Sequence, residues 1–316
     1  MLAKAGAIRA HHRFSTVRFL AYVLIHRAVE ARRSIRGRTM DGEMTTASSP
    51  TTATRVPVAV CTIAHNEEAN IAACIESVVG FAAEMVILDA GSTDRTAAIV
   101  REYQARHPEI ILVSGENNSN LNVNKMRSFE PVTQPWIFFL DSDERMTPAL
   151  WEEIRAAIQN ERINGYLVGR KNLYFGRWLR WGGYYPDAQP RLFRRGKGRF
   201  PMKHVHEFLE IDGNVGALRE PFIHLSYQTV AQFMHKFQFY TTFQAEKWAE
   251  AGIRWSPRNH LKYGVVRPAG VFFRQYFLWQ GFRNGFVGFF AAVMSAVYEF
   301  VAYAKLADTV ESSRQG

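Results

Sequence analysis

Two aspartates stand two residues apart, at Asp141 and Asp143, directly after the apolar run Pro135–Leu140. Alternate side chains of an extended backbone point to the same side, so this spacing can bring both carboxylates together. Mg²⁺ and Mn²⁺ prefer such oxygen ligands and usually keep coordination positions open for substrate phosphates. The pair therefore predicts a divalent-metal site, and the alternative is a solvated turn that leads into a helix at Thr147-Pro148.

Two more polar clusters follow apolar, β-rich runs earlier in the chain. His65–Glu68 comes after Val56–Ala64, and Asp89–Asp94 comes after Met85–Leu88. Helix-like stretches separate these runs, and this alternation predicts a mostly parallel sheet in an α/β fold. Ligands of open α/β sheets bind outside the carboxyl ends of the strands. The three clusters therefore predict one shared crevice.

Basic residues lie close to this predicted crevice in the sequence. Lys125 and Arg127 stand just before the apolar run Pro135–Leu140, and the run RLFRR supplies Arg191, Arg194 and Arg195. Lys125 is the predicted contact for a diphosphate, and one of the three later arginines could hold a phosphate in a bidentate fork. The alternative for all of them is ordinary exposed surface charge.

Composition limits the broad class of the protein. The 316 residues carry a formal charge of +10, with 47% hydrophobic residues and only two cysteines, Cys61 and Cys74. A basic excess suits nucleic acid, an anionic membrane surface or phosphorylated substrates. The cysteines form neither a disulfide framework nor a metal-binding spacing. Because the sequence contains no RNA- or DNA-binding motif, nucleic acid is not a predicted partner.

The chain divides by composition into four predicted segments. Residues 1–43 form an arginine-rich extension, which predicts an amphipathic membrane-surface helix, a poorly ordered extension, or a start that truly lies at Met40 or Met44. Residues 44–55 read as a linker. Residues 56–228 hold the α/β domain, and residues 229–316 form a helical, basic and apolar region.

The C-terminal region has the composition of a membrane-associating segment. No Asp or Glu occurs from Ala251 to Tyr298, and Phe286–Ala304 is almost continuously apolar. Cationic residues among apolar ones favour helices that lie in the interface of an anionic leaflet. A single membrane crossing and a soluble helical subdomain are the alternatives.

The motifs AHNEEANIAACIESV, VILDAGSTDRT and WIFFLDSDE resemble those of the inverting family 2 glycosyltransferases. The resemblance implies a GT-A-type, Rossmann-like catalytic domain, a nucleotide-sugar donor and Mg²⁺ or Mn²⁺. The stretch from Asn172 to Glu207 is similar to the bacterial lipopolysaccharide-core enzymes that add glucose to a heptose. That similarity implies a lipid-linked saccharide acceptor at the cytoplasmic face of the inner membrane.

The same resemblance assigns expected roles to residues of the three clusters. Asn66 and Glu67 are expected near the nucleotide, and Asp89 and Asp94 around the base and ribose. Asp141 would contact the ribose or the metal, and Asp143 would ligate the metal directly. Many relatives have Asp-Asp-Gly-Ser after the second strand, where the second aspartate reads uracil. Ala90 replaces it here, so uridine is only the expected base.

Inversion needs a carboxylate that deprotonates the acceptor hydroxyl. By resemblance this base is Glu207, with Asp187 as second choice; a zinc site of His204, His206 and Glu207 is the less favoured alternative. Transfer to a polyprenyl phosphate is the enzymatic alternative, because such an anionic acceptor needs no base. A membrane-bound scaffold on an inactive domain is the non-enzymatic one.

Overall fold

The structure is a computed structural model that describes residues 55–118, 120–200 and 209–315, with side chains described as far as residue 307. The predicted extension 1–43, nearly all of the linker 44–55, and the residues His204, His206 and Glu207 lie outside the described residues.

The bounds of the elements follow in chain order. The strands are β1 Val56–Ala64, β2 Ala82–Asp89, β3 Ile110–Ser114, β4 Trp136–Phe139, β5 Glu144–Arg145, β6 Gly165–Val168, β7 Arg170–Tyr174, β8 Arg177–Trp178, β9 Gln189–Arg194, β10 Gly198–Arg199, β11 Glu210–Ile211, β12 Val215–Ala217 and β13 Phe222–Tyr227. The α-helices are α1 Ile71–Glu76, α2 Thr96–Gln104, α3 Leu121–Phe129, α4 Pro148–Ala157, α5 Val230–Glu250, α6 Pro257–Leu261, α7 Arg267–Phe273 and α8 Gly285–Gln315. Two π-helical turns, Lys262–Val266 and Arg274–Leu278, and a 3-10 turn, Gly281–Asn284, connect α6, α7 and α8.

The chain folds into two compact units. The first contains the described parts of residues 1–170 together with 188–222, and the second contains residues 171–187 together with 223–316. Each unit is thus built from separated stretches of the chain, and residues 171–187 group with the C-terminal helices rather than with the strands on either side of them in sequence.

A seven-stranded sheet forms the centre of the first unit, in the order β12-β6-β9-β4-β1-β2-β3. Strands β3, β2, β1 and β4 run parallel to one another, whereas β9 runs antiparallel to both β4 and β6. The predicted α/β architecture, a mostly parallel sheet flanked by helices, is confirmed. The antiparallel strand β9 carries the RLFRR run into the middle of this sheet.

Strand β1 shows why the sheet centre is so apolar. Val56, Val58 and Val60 pack in one buried cluster, whereas Ala59 and Cys61 pack in another. Because alternate residues of a strand face opposite sides of the sheet, both faces of β1 are covered. A strand buried on both faces needs a nearly continuous apolar run, and Val56–Ala64 provides one in which Thr62 is the polar exception.

Register brings the ends of β1, β2 and β4 to one edge of the sheet. Ala64 pairs with Asp89 at the ends of β1 and β2. Leu140, one residue beyond β4, donates its backbone N–H to the carbonyl of Cys61 over 3.0 Å. The residues that follow these three strands therefore emerge at a common edge, as the sequence predicts.

The second unit combines short strands with long helices. Strand β7 lies between β13 and β8, and α8 packs along α5 and α7. Within the described residues, the stretch Gly281–Ala307, with 27 residues and a mean hydropathy of 1.7, is long and apolar enough to cross a membrane.

Candidate active site

Hydrogen bonds join the loops that follow β1 and β2. Asn66 has a positive φ of 56°, which turns its backbone N–H towards the Ser92 hydroxyl oxygen at 3.0 Å. In return, the Asn66 side-chain oxygen accepts a hydrogen bond from the backbone N–H of Thr93 at 2.8 Å. Asparagine is among the few residues other than glycine that adopt positive φ readily. This residue therefore determines how the first loop meets the second.

Acidic side chains complete the connection between the two loops. Asp94 accepts hydrogen bonds from the backbone N–H groups of Glu68 at 3.1 Å and Thr96 at 2.9 Å. The Glu68 carboxylate accepts one from the backbone N–H of Arg95 at 3.0 Å. Desolvation acts to raise the pKa of Asp94, but the hydrogen bonds from Thr96 and Glu68 outweigh it and hold this pKa below its usual value. Asp94 therefore stays ionised and holds the loops together.

Asp89 and Glu67 lie at the base of these loops. The buried side chain of Asp89 accepts a hydrogen bond from the backbone N–H of Ser92 at 3.3 Å. The Glu67 carboxylate accepts one from the Asn70 side-chain amide at 2.8 Å. The structure thus brings Asn66, Glu67, Asp89 and Asp94, four of the residues predicted for nucleotide binding, into one place. Their contacts to a nucleotide stay predictions.

The run Asp141–Glu144 surrounds a buried arginine. Arg191 donates from Nη2 to Glu144 Oε1 at 2.7 Å and to Asp141 Oδ2 at 3.0 Å. Its Nη1 donates to the carbonyl of Phe139 at 3.3 Å. Glu144 is fully buried, whereas 39% of the Asp141 side chain is exposed. Arg191 therefore joins a buried carboxyl group to one that faces solvent.

Burial perturbs the acid–base behaviour of this cluster. Desolvation raises the pKa of Glu144 to about 8, and the attraction of Arg191 only partly opposes that rise. For Arg191, desolvation acts to lower the pKa, but Glu144 and Asp141 outweigh it, so the pKa lies above its ordinary value. The guanidinium is thus always charged, while the charge of Glu144 depends on pH near neutrality.

Lys125 lies on α3 next to the same cluster. Its Nζ lies 5.0 Å from the centre of the Phe139 ring and 4.9 Å from that of Phe200. Burial lowers its pKa, and Asp141 opposes that change. A partly desolvated ammonium held between two rings interacts more strongly with an anion than an exposed lysine does. This position agrees with the predicted diphosphate contact, which itself stays a prediction.

The two later arginines of the RLFRR run are bound to the protein backbone. Arg194 donates from Nε to the carbonyl of Ile163 at 3.1 Å and stacks on the ring of Trp136 at 4.6 Å. Arg195 donates to the carbonyl of Val132 at 3.4 Å. These contacts give both residues a structural role. Arg191 is the member of the run that reaches the acidic cluster.

Asp141 and Asp143 have the right chemistry for a hard divalent cation. Both are partly exposed and supply carboxylate oxygens just beyond the end of β4. Among the described residues, no group of three His, Cys, Asp or Glu side chains is placed to hold a metal ion. A two-aspartate site leaves most coordination positions to phosphate oxygens and water, which is how Mg²⁺ is usually held at phosphate-transfer sites. The donor set therefore fits the predicted ion.

A separate polar network surrounds Asp187 within the second unit. The Asn172 side-chain amide donates to Asp187 Oδ2 at 2.9 Å and to the carbonyl of Tyr184 at 3.2 Å. The amide oxygen of Asn172 lies 2.7 Å from His224 Nδ1 and accepts from the Ser226 hydroxyl at 3.2 Å. Because that oxygen can only accept, His224 carries its proton on Nδ1. Asp187 itself has a φ of 23°.

Aromatic and polar residues of the second unit line an open pocket of about 300 Å³. Its lining includes Tyr174, Tyr184, Tyr227, Arg274 and Gln275. Tyr174 and Tyr184 line the pocket, whereas Trp178 packs edge-on against Tyr185. Flat rings with hydroxyl groups suit a sugar ring.

The sequence did not identify two central residues of the site. Glu144 follows Asp143 directly in the run DSDE, so the sequence did show an acidic residue there. The complete burial of Glu144 could not be read from the sequence, because it depends on tertiary packing. Arg191 was noted only as one of three basic residues. Arg191 differs from the other two arginines in its position in the sheet. It lies on β9 beside β4, where its neighbour Leu192 pairs with Phe138. Glu207, the predicted base, lies outside the described residues.

Comparisons of the sequence with known proteins identify glycosyltransferases. The profile of Glycosyl transferase family 2 matches residues 59–226. The lipopolysaccharide core biosynthesis glycosyltransferase LpsC of Rhizobium meliloti (strain 1021) is 36% identical over 263 residues, which cover 80% of this chain and 92% of LpsC. An uncharacterized glycosyltransferase of Rickettsia felis is 25% identical over 273 residues, covering 80% of this chain and 90% of that protein.

Solved structures that resemble this chain have lower sequence identity to it than these relatives have. The S. aureus TarS 1-349 structure in complex with UDP is 17% identical, with a TM-score of 0.45, and covers 82% of this chain and 91% of that one. The mannosyltransferase PcManGT from Pyrobaculum calidifontis, in complex with GDP-Man and Mn²⁺, is 14% identical with a TM-score of 0.45, covering 92% and 95%.

Proposed function

The chain belongs to glycosyl transferase family 2, and we propose that it transfers a hexose, with inversion, from a nucleotide-sugar to a lipid-linked saccharide such as lipopolysaccharide core. The expected donor is a UDP-sugar and the expected cation Mg²⁺ or Mn²⁺. The observation that carries the proposal is the placement of Asp141 and Asp143 at the end of β4, at the same sheet edge as the joined loops that follow β1 and β2.

The first unit supplies the donor side of the reaction. Asn66, Glu67, Asp89 and Asp94 would line the nucleotide part of the site, since they follow β1 and β2. Asp143 and Asp141 would hold the cation, which supplies charge neutralisation for the departing diphosphate. Lys125 would donate a hydrogen bond to a diphosphate oxygen. Because hydrogen bonds already fix these loops, the protein would reorganise little when the donor binds.

The transfer itself requires a base on the acceptor side. The acceptor hydroxyl attacks the anomeric carbon, its proton passes to a carboxylate, and the bond between that carbon and the diphosphate oxygen breaks. We assign the carboxylate to Glu207, with Asp187 as the second candidate. Protonation of the base and release of the nucleoside diphosphate balance the step.

The acceptor chemistry would place the protein at a membrane. A lipid-linked saccharide is held in a membrane leaflet, and we expect this leaflet to be the cytoplasmic one of the bacterial inner membrane. The relationship to LpsC, whose name states lipopolysaccharide core biosynthesis, supports this acceptor class. The apolar and basic composition of residues 251–298 supports peripheral attachment to that membrane.

A panel of nucleotide-sugars tests the proposal. The purified protein is melted with each donor, with and without Mn²⁺, and the best donor is then incubated with a core-truncated lipopolysaccharide. We expect one donor to raise the melting temperature only when Mn²⁺ is present, and the acceptor to gain the mass of one hexose. Failure of every nucleotide-sugar both to bind and to react would contradict the proposal and favour the scaffold alternative.

A further inference from the structure

We propose that the helical hairpin formed by residues 273–289 inserts into one leaflet of an anionic bilayer without crossing it. This hairpin comprises the end of α7, the turns Arg274–Leu278 and Gly281–Asn284, and the start of α8. The inference rests on the membrane attachment proposed above, but it does not depend on the transfer of a sugar.

The outer surface of the hairpin is apolar to an unusual degree. Its large exposed side chains include Phe286, of which 78% is exposed, and Phe282, of which 49% is exposed. Their neighbours on the same hairpin with at least two fifths of their surface exposed are Phe273, Phe277, Leu278, Trp279 and Phe289. Soluble proteins rarely expose so many contiguous large apolar groups, and such patches mark surfaces that contact a partner or a membrane.

Charge on and beside the hairpin selects an anionic lipid surface as that partner. Arg274 and Arg283 lie within the hairpin, and Arg254, Arg258 and Lys262 precede it, all of them exposed. From Ala251 to Tyr298 the chain has no acidic residue to repel a phosphate. Arginines beside exposed aromatic rings match the border between headgroups and acyl chains.

The packing of α8 argues against a membrane crossing. Lys305 donates hydrogen bonds to the carbonyl of Gln238 and to the hydroxyl groups of Thr241 and Thr242, all on α5. Ala302, Tyr303 and Leu306 are buried against Trp248 and Tyr263. The C-terminal half of α8 is thus held by protein, and α5 carries charged residues that would have to enter hydrocarbon with it.

The part of α8 that precedes these contacts is too short to span. From Gly285 to Val297 a helix extends for about 20 Å, whereas the hydrocarbon core is about 30 Å thick. The ion pair of Arg267 with Glu299, at 2.5 Å, adds a polar contact directly after this stretch. The apolar stretch therefore suits insertion into one leaflet.

The hairpin turn is rigidly attached to residues 181–184 of the second unit. The backbone N–H of Gly182 donates to the carbonyl of Trp279 at 2.8 Å, and Asn284 donates to the carbonyl of Trp181 at 2.9 Å. Arg283 lies 3.8 Å from the centre of the Trp181 ring. Insertion of the hairpin would therefore fix the orientation of the segment that leads to Asp187.

Vesicle binding tests the insertion with matched variants. The full chain is floated with vesicles that contain phosphatidylglycerol and with vesicles of phosphatidylcholine alone. The double variant Phe282→Ser/Phe286→Ser should lose at least about tenfold in partitioning, because each phenylalanine loses its transfer energy. Phe239→Ser is the control, since Phe239 is 62% exposed on α5 outside the hairpin. Equal binding of the double variant and the parent would overturn the proposal.

Depth and topology are measured without disturbing the fold. Brominated lipids should quench tryptophan fluorescence less in Trp279→Phe than in Trp255→Phe, and equal quenching would contradict insertion of the hairpin. In a Ser312→Cys variant, an impermeant maleimide should label the protein only after lysis of the spheroplasts, because insertion without crossing leaves position 312 on the cytoplasmic side. The native Cys61 and Cys74 are buried and should not interfere. Labelling of intact spheroplasts would show a membrane crossing and overturn the proposal.

Failure of this inference can be told apart from failure of the proposed function. Hairpin variants are assayed for transfer to a delipidated, water-soluble acceptor. If the hairpin variants bind vesicles as well as the parent does and still transfer the sugar, only the proposed insertion of the hairpin is refuted. If vesicle binding depends on the hairpin but the protein transfers no sugar, the proposed insertion is supported and the proposed sugar transfer is refuted.

Discussion

Arg191 and Glu144 form a buried ion pair, with Nη2 of the arginine 2.7 Å from Oε1 of the glutamate. The pair connects strand β9 to the run that follows β4, so an antiparallel strand supports the end of a parallel one. A buried pair of this kind need not add stability compared with apolar side chains, but losing one partner costs much.

Arg191→Met should lower the free energy of unfolding by about 3 kcal/mol, at the lower end of the range for a broken buried pair, because Glu144 can take up a proton. Urea denaturation measures the change. The control is Arg199→Met, which breaks the exposed pair with Glu210 and should cost less than about 1 kcal/mol. If both variants lose the same free energy of unfolding, burial of the Arg191–Glu144 pair does not determine its contribution to stability.

Stability should decrease between acidic and mildly alkaline pH because of Glu144. Its pKa rises from 4.5 to about 8 on folding, so the folded protein binds a proton that the unfolded chain has lost. This contribution is fully present below 4.5 and is lost as the pH rises through about 8, at up to about 1.4 kcal/mol per pH unit. Glu144→Gln should flatten that dependence in urea titrations. An unchanged pH profile in the variant would refute the assignment.

Asp143→Asn should abolish the Mn²⁺-dependent stabilisation by the donor while leaving the melting temperature of the free protein within a few degrees. The reason is that Asp143 is partly exposed and would act as a metal ligand. Asp212→Asn is the matched control, since Asp212 is an acidic surface residue paired with Lys197. Isothermal titration with Mn²⁺ and the donor measures both. Full metal-dependent binding by Asp143→Asn would remove this residue from the site.

Two substitutions separate the candidate bases. If Glu207 is the base, Glu207→Gln should lower kcat by about 10²–10⁴-fold, whereas Asp187→Asn should mainly weaken acceptor binding. Steady-state kinetics over acceptor concentration distinguish a fall in kcat from a rise in KM. If both variants keep their kcat, the acceptor needs no base, and the polyprenyl-phosphate alternative becomes the better description.

Gly288→Ala should destabilise the second unit by about 1–3 kcal/mol. A Cβ at position 288 would lie 2.2 Å from the carbonyl oxygen of Gly281, so the backbone has to move. Gly270→Ala is the control, because its Cβ would meet nothing within 4 Å and a helical alanine stabilises by about 0.5–1 kcal/mol. Thermal unfolding of both variants measures the difference, and a stabilised Gly288→Ala would contradict the close helix contact.

The parallel half of the fold could be predicted because it is local in the sequence. Runs such as Val56–Ala64 carry enough β-branched apolar residues to identify a buried strand, and polar residues mark where it ends. The neighbour relations of β9 could not be predicted, because Arg191 meets Glu144 across 47 residues. For the same reason the grouping of residues 171–187 with the C-terminal helices had no sequence signal. Asp141 and Asp143 could be identified because two aspartates spaced two residues apart follow directly after a predicted strand.

The discontinuous second unit sets a rule for building chimeras with related enzymes. Asn172 lies in the first of its two chain segments, whereas His224 and Ser226 lie in the second. A graft of residues 223–316 alone would pair a foreign histidine and serine with the resident asparagine. Residues 171–187 and 223–316 must therefore be exchanged together, and recombination between relatives that separates them should be selected against.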